Sequence, residues 1–511
     1  MSWSYDALGR VTGKGQTVGS ITKSVAYAYT NGNLTTLTTP SGQTISYGYN
    51  ANHQITSITV NNSTTVLSNV TYEPLGAVNG WTWGNGTMMT RAYDTDGKIS
   101  QITGAGVKSY SYDNAFRITG MTDTSTGASN WTYGYDLLDR ITSGTNGSTT
   151  RGWTYDANGN RLTETGSAPS TYSISTTSNQ ITGITGALAR TYTYDAAGNT
   201  LTYSTVTATY NDRGRLQTLA TSSNTASFVY NALGQMAQTS GTAGTFLYAY
   251  DDAGHLLGEY DGSGNLIEDT VWLEDTPVAT LRPNGSNVDV YYVHTDHLNT
   301  PRQVTRPSDN MQMWTWFSDP FGTDAANSNP QGAGTFAYNL RFPGQIFKGP
   351  AGLHHNYFRD FDPATGRYVE SDPVGLRGGV NTYAYVEDDP INGIDPFGRY
   401  KVHGNWCGPD WTGGYKTDFN SLTPDQRRNA RAAVDPVDAA CEKHDKCYGR
   451  CRDNHPCWPN DRSRCFADCD FTLLVSAYSQ GFSGWTVGTA MDRSGKRDPG
   501  PNAKDCPTCS K

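Results

Sequence analysis

The chain has no cysteine before Cys407, although it contains nine in 511 residues. It has no apolar run near the roughly 20 residues that cross a bilayer as a helix. Its first residues, MSWSYDALGR, lack the basic start and apolar core of a cleaved secretory signal. Helix formers are scarce up to about residue 400, where Gly, Thr, Ser, Asn and Tyr dominate, and this composition favours strands and turns. Charge is uneven: residues 401–511 hold 16 Lys+Arg against 14 Asp+Glu, and the rest holds 22 against 33. The basic residues of the tail form no run, so no nucleic-acid partner is expected. Cysteines confined to the tail suggest an oxidising destination. The expectation is therefore secretion without a cleaved signal peptide, by a specialised secretion system, to a target cell envelope or a host.

What the first 400 residues have is a repeat. YDALGRVTG at Tyr5, YDTDGKISQIT at Tyr93, YDNAFRITGMT at Tyr112, YDLLDRITSGT at Tyr135 and YDANGNRLTET at Tyr155 are followed by related segments at Tyr194, Tyr210, Tyr230 and Tyr250. The period of roughly 20 residues is that of stacked supersecondary units. Each unit reads as an alternating run, a Tyr-Asp or Tyr-Asn step, a turn and a second alternating run, which predicts a β-hairpin. The Asp or Asn side chain can close the turn, and a Gly supplies φ > 0. The tyrosines read as sheet-packing residues.

These segments resemble the YD-repeat, or Rhs, family. The resemblance covers about residues 1–399, including YVHTDHLNTPRQVT at 292–305 and SDPVGLRGGVNTYAYVEDDPINGIDPFG at 371–398. It implies an all-β hairpin shell around a variable C-terminal toxin. The chain begins in mid-repeat and so reads as a short or truncated member. The expected division is a repeat array at 1–290, a core-associated region at 291–399 and a separate domain at 400–511. The resemblance also implies an aspartyl autoprotease built from Arg359, Asp372 and Asp395, cutting just after the second DPxG element. Two close carboxylates share a proton, so one can act as base and the other as acid. The family motif usually ends DPxGL; here Arg399 stands in place of the leucine.

The tail changes chemistry. PVDAACEKHDKCYGRC at 436–451, read as a helix, puts Asp438, Cys441, His444, Asp445 and Tyr448 on one broad face. RSRCFADCDFTLL at 462–474 reads as a second helix. If the two run antiparallel, Cys447–Cys469 and Cys451–Cys465 bridge them in register. A Cys407–Cys441 bridge would hang the Gly-rich loop GNWCGPDWTGG over the first helix, with its carbonyls facing Asp445, a hard-oxygen arrangement suited to Ca²⁺. A zinc site drawing on His444 and the cysteines is the chemical alternative. Cys457 is left to pair with Cys506 or Cys509.

The loop WCGPDWTGG, the helix ACEKHDKCY and the later Cys-Asp step together resemble secreted phospholipase A2. The resemblance spans about residues 403–474 and implies a small disulfide-rich α-helical enzyme. His444 would be the base that activates water, Asp470 would orient it and Tyr448 would hold Asp470. Asp445 would bind Ca²⁺ through its carboxylate, and Trp406, Gly408 and Asp410 through main-chain oxygens. The Gly408 N–H would join the cation in stabilising the oxyanion. The substrate would be the sn-2 ester of a membrane glycerophospholipid, and the expected partners are a cognate immunity protein and a secretion-system carrier. Asp410 stands where the family's loop normally has glycine, and Ala440 replaces one family cysteine. A catalytically inactive, phospholipase-like binding domain is one alternative. A surface adhesion or carbohydrate-binding protein with a stapled cap is another.

Overall fold

Each Tyr-Asp step makes the same local structure, and the step at Tyr135-Asp136 shows why. The Asp136 N–H donates to the Arg140 carbonyl at 3.0 Å, and Asp139 N–H donates back to Asp136 at 3.2 Å. Asp136 Oδ1 accepts from the N–H groups of Leu138 and Arg140 at 2.9 and 3.1 Å, and Oδ2 accepts from Arg140 Nε at 2.7 Å. One short carboxylate thus satisfies the donors that a tight turn leaves open. Asp6, Asp113, Asp156, Asp195, Asn211 and Asn231 repeat the two backbone contacts. The turn needs φ > 0 at its fourth position, met by Gly9, Gly159, Gly198, Gly214 and Gly234. Three Tyr-Asp or Tyr-Asn turns lack that glycine, and there His53, Phe116 and Asp139 take φ of 62° themselves. The Asx turn is strong enough to impose the conformation on a side-chain-bearing residue.

The tyrosine does more than pack. Its hydroxyl donates to the backbone carbonyl of the first strand residue after the preceding turn: Tyr135 to Ile118 at 2.6 Å, Tyr155 to Ile141 at 2.8 Å and Tyr230 to Leu216 at 2.9 Å. A register shift falls at each of these tyrosines. Each of these repeats is therefore tied to the one before it by a half-buried phenol whose polar end is satisfied.

The computed structural model describes residues 1–399, apart from 75, 76 and 148. The described residues form an all-β protein, with a 31-stranded sheet in which successive strands from Ser2–Tyr5 to Gln312–Thr315 pair antiparallel. Small hydroxyl residues occupy one face, where Thr154 and Thr163 or Thr193 and Thr202 pair across strands at 2.6 and 2.7 Å. Aromatic and branched residues such as Trp153, Tyr172 and Ile184 are buried on the other. This is the period-2 segregation that fixes register in a half-buried sheet.

The sheet also coils back on itself. Lys14 Nζ donates to the Asp251 carbonyl at 2.6 Å, and Gln16 Nε2 to that of Tyr248 at 2.8 Å. Further along, Trp83 stacks on Tyr292 with ring centroids 4.5 Å apart, and Trp153 meets Phe321 edge-on at 5.1 Å. Arg151 is buried between Glu164 and Asp319. One apolar core consequently draws residues from Val25 to Ile391.

A second, four-stranded antiparallel sheet comprises Gln345–Lys348, Leu353–Asn356, Arg359–Asp362 and Arg367–Tyr368. Leu353, Phe361 and Tyr368 pack with Trp314, Trp316, Phe342 and Tyr385 in a second core. Arg190 pairs with Asp362, and the Tyr383 hydroxyl donates to the Gly198 carbonyl at 2.6 Å, fastening this sheet and the segment after it to the repeat turns. The helical domain expected at 400–511 lies outside the described residues.

Candidate functional site

The hairpin that joins Leu353–Asn356 to Arg359–Asp362 has only Tyr357 and Phe358 between its paired ends, and Tyr357 turns the chain with φ of 51°. Its tip is held from outside: the Phe358 N–H donates to the Phe397 carbonyl at 3.1 Å. Phe397 belongs to the second DPxG element, so the hairpin and that element arrive together. A Cβ added at Gly398 would overlap the Asn356 carbonyl oxygen, and one at Gly344 would overlap that of Pro396. Both glycines also have positive φ, at 65° and 85°. They allow the element to lie directly on the backbone beneath it.

The two DPxG elements are built alike. Asp372 Oδ1 accepts from the Val374 N–H at 2.9 Å, and the Gly375 N–H closes the turn on the Asp372 carbonyl at 2.9 Å. Asp395 Oδ1 accepts from the Arg399 N–H at 2.9 Å, and the Gly398 N–H closes on the Asp395 carbonyl at 3.3 Å. In each, one carboxylate oxygen is spent on the turn and the other is left to face inward.

Both inward oxygens meet one nitrogen. Arg359 Nη2 stands 3.0 Å from Asp372 Oδ2 and 3.3 Å from Asp395 Oδ2. All three residues are buried. The rest of the guanidinium is also engaged, with Nε donating to the Gly398 carbonyl at 2.6 Å and Nη1 to that of Thr382 at 3.0 Å. The structure thus gathers Arg359, Asp372 and Asp395 from positions 13 to 36 residues apart into one cluster.

Residues that the sequence reading did not single out complete it. The Tyr368 hydroxyl donates to Asp395 Oδ2 at 2.8 Å, and Asn356 Nδ2 donates to the Tyr368 oxygen at 2.6 Å and to the Asp395 carbonyl at 2.9 Å. The Arg359 guanidinium lies 3.7 Å from the Tyr368 ring centroid. Nothing local marks Tyr368 or Asn356, because their partners lie 27 and 39 positions downstream.

Burial pushes the Asp372 carboxyl up to about 6, against the pull of Arg359 and the Val374 N–H and with the help of the neighbouring Asp395 charge. The pair can hold one proton near neutral pH. The backbone of the junction is beside it: a Cβ at Gly378 would overlap Asp372 Oδ2 and stand 2.8 Å from the Arg399 carbonyl oxygen. Only glycine leaves the space in which carboxyl and carbonyl converge. The Arg399 side chain lies over the Phe358 ring, 3.5 Å from its centroid. Chemically, this is an acid, a base, a fixed cation and a peptide carbonyl in one buried place.

The other site residues read from the sequence are His444, Asp470, Tyr448, Asp445, Trp406, Gly408 and Asp410, with the pairings Cys407–Cys441, Cys447–Cys469 and Cys451–Cys465. All fall at 400–511, outside the described residues.

Comparison with known proteins places the described part. Residues 29–65 match the RHS repeat model, and residues 107–391 match the teneurin YD-shell model. The chain is 32% identical over 130 residues to double-stranded DNA deaminase toxin A of Burkholderia cenocepacia, covering 25% of this chain and 9% of that protein. It is 36% identical over 109 residues to toxin protein Tse5 of Pseudomonas aeruginosa, covering 21% of this chain and 8% of that one. The matched segment spans under a tenth of the length of each of these two relatives. Among solved structures, the Photorhabdus luminescens Tc holotoxin pore superposes with a TM-score of 0.61 at 17% identity, over 76% of this chain and 22% of that chain. That likeness is one of fold. With more than half of its residues matched, the chain belongs to the teneurin YD-shell family, as an all-β Rhs/YD-repeat shell protein related to polymorphic toxins.

Proposed function

We propose that the shell carries a delivered toxin, that the junction cuts its own chain after Arg399, and that residues 400–511 are the toxin, a calcium-dependent phospholipase A2. The observation that carries the cleavage is the single Arg359 nitrogen shared by the Asp372 and Asp395 carboxylates beside the Arg399 carbonyl. Delivery is supported by the relatives, which are named as toxins.

In the cleavage, protonated Asp372 donates to the Arg399 carbonyl oxygen, and ionised Asp395 takes a proton from water as its oxygen adds to the carbonyl carbon. Collapse of the tetrahedral intermediate breaks the bond to the nitrogen of residue 400. That nitrogen leaves with a proton from the pair, and the pair keeps one as at the start. Arg359 holds the charge of the cluster constant in position. Arg399 suits the place of the usual leucine because its guanidinium has an aromatic face to lie on.

The phospholipase reading rests on the sequence of the tail. His444 would activate water, oriented by Asp470 and Tyr448. Asp445 and the main-chain oxygens of Trp406, Gly408 and Asp410 would hold Ca²⁺, whose charge would serve the ester oxyanion. The substrate would be membrane phospholipid in a target cell or host, reached through a secretion-system carrier, with an immunity protein guarding the producer.

The test is fatty-acid release from mixed phospholipid vesicles by the oxidised full chain, with Ca²⁺ or chelator, beside His444→Ala and Asp372→Asn. Release that needs Ca²⁺ and His444 supports the enzyme, and a lower rate in Asp372→Asn supports release of the tail by self-cleavage. No release from a folded, fully bridged chain sinks the phospholipase and favours a binding role, with Asp410 at a glycine position of the loop as the physical reason.

A further inference from the structure

The two aspartates of the junction are held differently, and the difference comes from two residues outside the Arg-Asp-Asp set. Asn356 Nδ2 donates one proton to the main-chain carbonyl of Asp395, at 2.9 Å. A main-chain carbonyl can only accept, so the amide nitrogen must be the end facing it, which settles the orientation of the Asn356 side chain. The other proton of that nitrogen goes to the Tyr368 oxygen at 2.6 Å. The Tyr368 oxygen already accepts, so its single proton is free to be given away. It goes to Asp395 Oδ2, 2.8 Å distant. Donation therefore runs one way, from Asn356 to Tyr368 to Asp395, and ends on an oxygen that must itself be unprotonated.

Asp372 has no such chain. Its Oδ1 accepts from the Val374 N–H and its Oδ2 faces Arg359, which it shares with Asp395. Asp395 thus faces Arg359, Tyr368 and the Arg399 N–H, with the charge of Asp372 beside it and Tyr385 close enough to feel its field. Burial holds the Tyr368 phenol well above its ordinary range, with the Asp395 charge adding to the effect, so it remains a donor at every working pH.

We infer that Tyr368 is a positioning residue for the cleavage: by donating to Asp395 Oδ2 it holds Asp395 as the ionised base and leaves Asp372 to carry the proton. This rests on the self-cleavage reading. An oxygen that accepts one more hydrogen bond in its charged form has a lower pKa than its partner, and in a pair sharing one proton that bias selects the base. The ring of Tyr368 has the separate task of lying under the Arg359 guanidinium.

The experiment is a pH–rate profile of cleavage. Full chain made by cell-free translation is held in denaturant and diluted into buffers from about pH 4 to pH 9. The fragment ending at Arg399 is quantified by mass spectrometry. Tyr368→Phe keeps the ring and removes only the donated proton. Asp395 then ionises less readily, so the acid limb, where rate rises with pH, moves upward by about one pH unit. Cleavage at a fixed pH on that limb falls about tenfold. If Tyr368→Phe fails to fold, fluorotyrosine introduced at position 368 alone makes a stronger donor, and the same limb moves to lower pH. Superposable profiles for wild type and either variant, with Asp372→Asn and Asp395→Asn both blocked, overturn the role of Tyr368 alone. Cleavage that persists in Asp372→Asn and Asp395→Asn overturns the self-cleavage reading beneath it.

Discussion

Arg359 Nε donates a 2.6 Å hydrogen bond to the Gly398 carbonyl, so the side chain that neutralises two aspartates also fixes the backbone one residue before the proposed cut. Its substitution separates the two tasks. Arg359→Met leaves two buried carboxylates without their cation, and a loss of about 3–5 kcal/mol is expected from such an unpaired charge. Arg359→Lys keeps the charge but not the planar fork that reaches both Gly398 and the aspartates. Lysine should therefore preserve most of the melting temperature while slowing cleavage at least about tenfold, and arginine-to-methionine should lose both. Thermal melts beside a cleavage time course distinguish them.

Gly378 offers a cleaner cut between stability and chemistry. Its absent Cβ is the space in which Asp372 Oδ2 and the Arg399 carbonyl oxygen approach. Gly378→Ala must push one of them aside, and a displacement of about 1 Å is enough to cost on the order of 100-fold in rate. The melting temperature should move by a few degrees at most. A variant that cleaves at the wild-type rate would show that the carbonyl is not attacked from this side.

The repeat is legible in the sequence because everything that makes it is local. Asp156 closes its turn on groups two and four residues away, and Gly159 sits within the same turn. Even so, Phe116 and Asp139 take the glycine conformation without being glycine, since the Asx hydrogen bonds outweigh a modest backbone strain. Coiling is not legible: Lys14 meets Asp251 across 237 positions, and no periodicity encodes that meeting. At the junction, a family resemblance marks Arg359, Asp372 and Asp395 but neither Tyr368 nor Asn356. A tyrosine after an arginine in a strand looks like every other sheet-packing tyrosine until its hydroxyl is seen on Asp395.

Arg399 and Phe358 predict a side-chain preference at the cut. The guanidinium lies on the ring, 3.5 Å from its centroid. An aromatic face accepts a cation or an alkyl chain and repels a carboxylate. Arg399→Leu should cleave within a few-fold of wild type, whereas Arg399→Glu and Phe358→Ala should each slow cleavage about tenfold or more. Equal rates across the three would remove the ring from the account.

Away from the junction, His255 predicts how the shell responds to alkali. It is hydrogen bonded to Asp251 Oδ2 at 2.9 Å and Asp275 Oδ1 at 2.7 Å, and it stacks on Trp272 at 4.5 Å. Burial lowers its pKa, but the two carboxylates more than offset this and raise it to about 9. A folded value above the unfolded one, near 6.5, means that this stabilisation is complete below about pH 6.5. It is lost as pH rises through about 9. The contribution is on the order of 3 kcal/mol. Melting temperature should fall between pH 6.5 and pH 9.5 in wild type, and His255→Gln should start lower and lose less over the same interval.

Intact mass of the full chain after folding, read beside Asp395→Asn, decides whether the junction cuts itself. Self-cleavage after Arg399 predicts two species, residues 1–399 and 400–511, from the wild type, and one species of 55.5 kDa from the variant. A single uncut mass from folded wild type, or the same two fragments from both chains, would contradict the assignment of the Arg359–Asp372–Asp395 cluster as the protease that frees the tail.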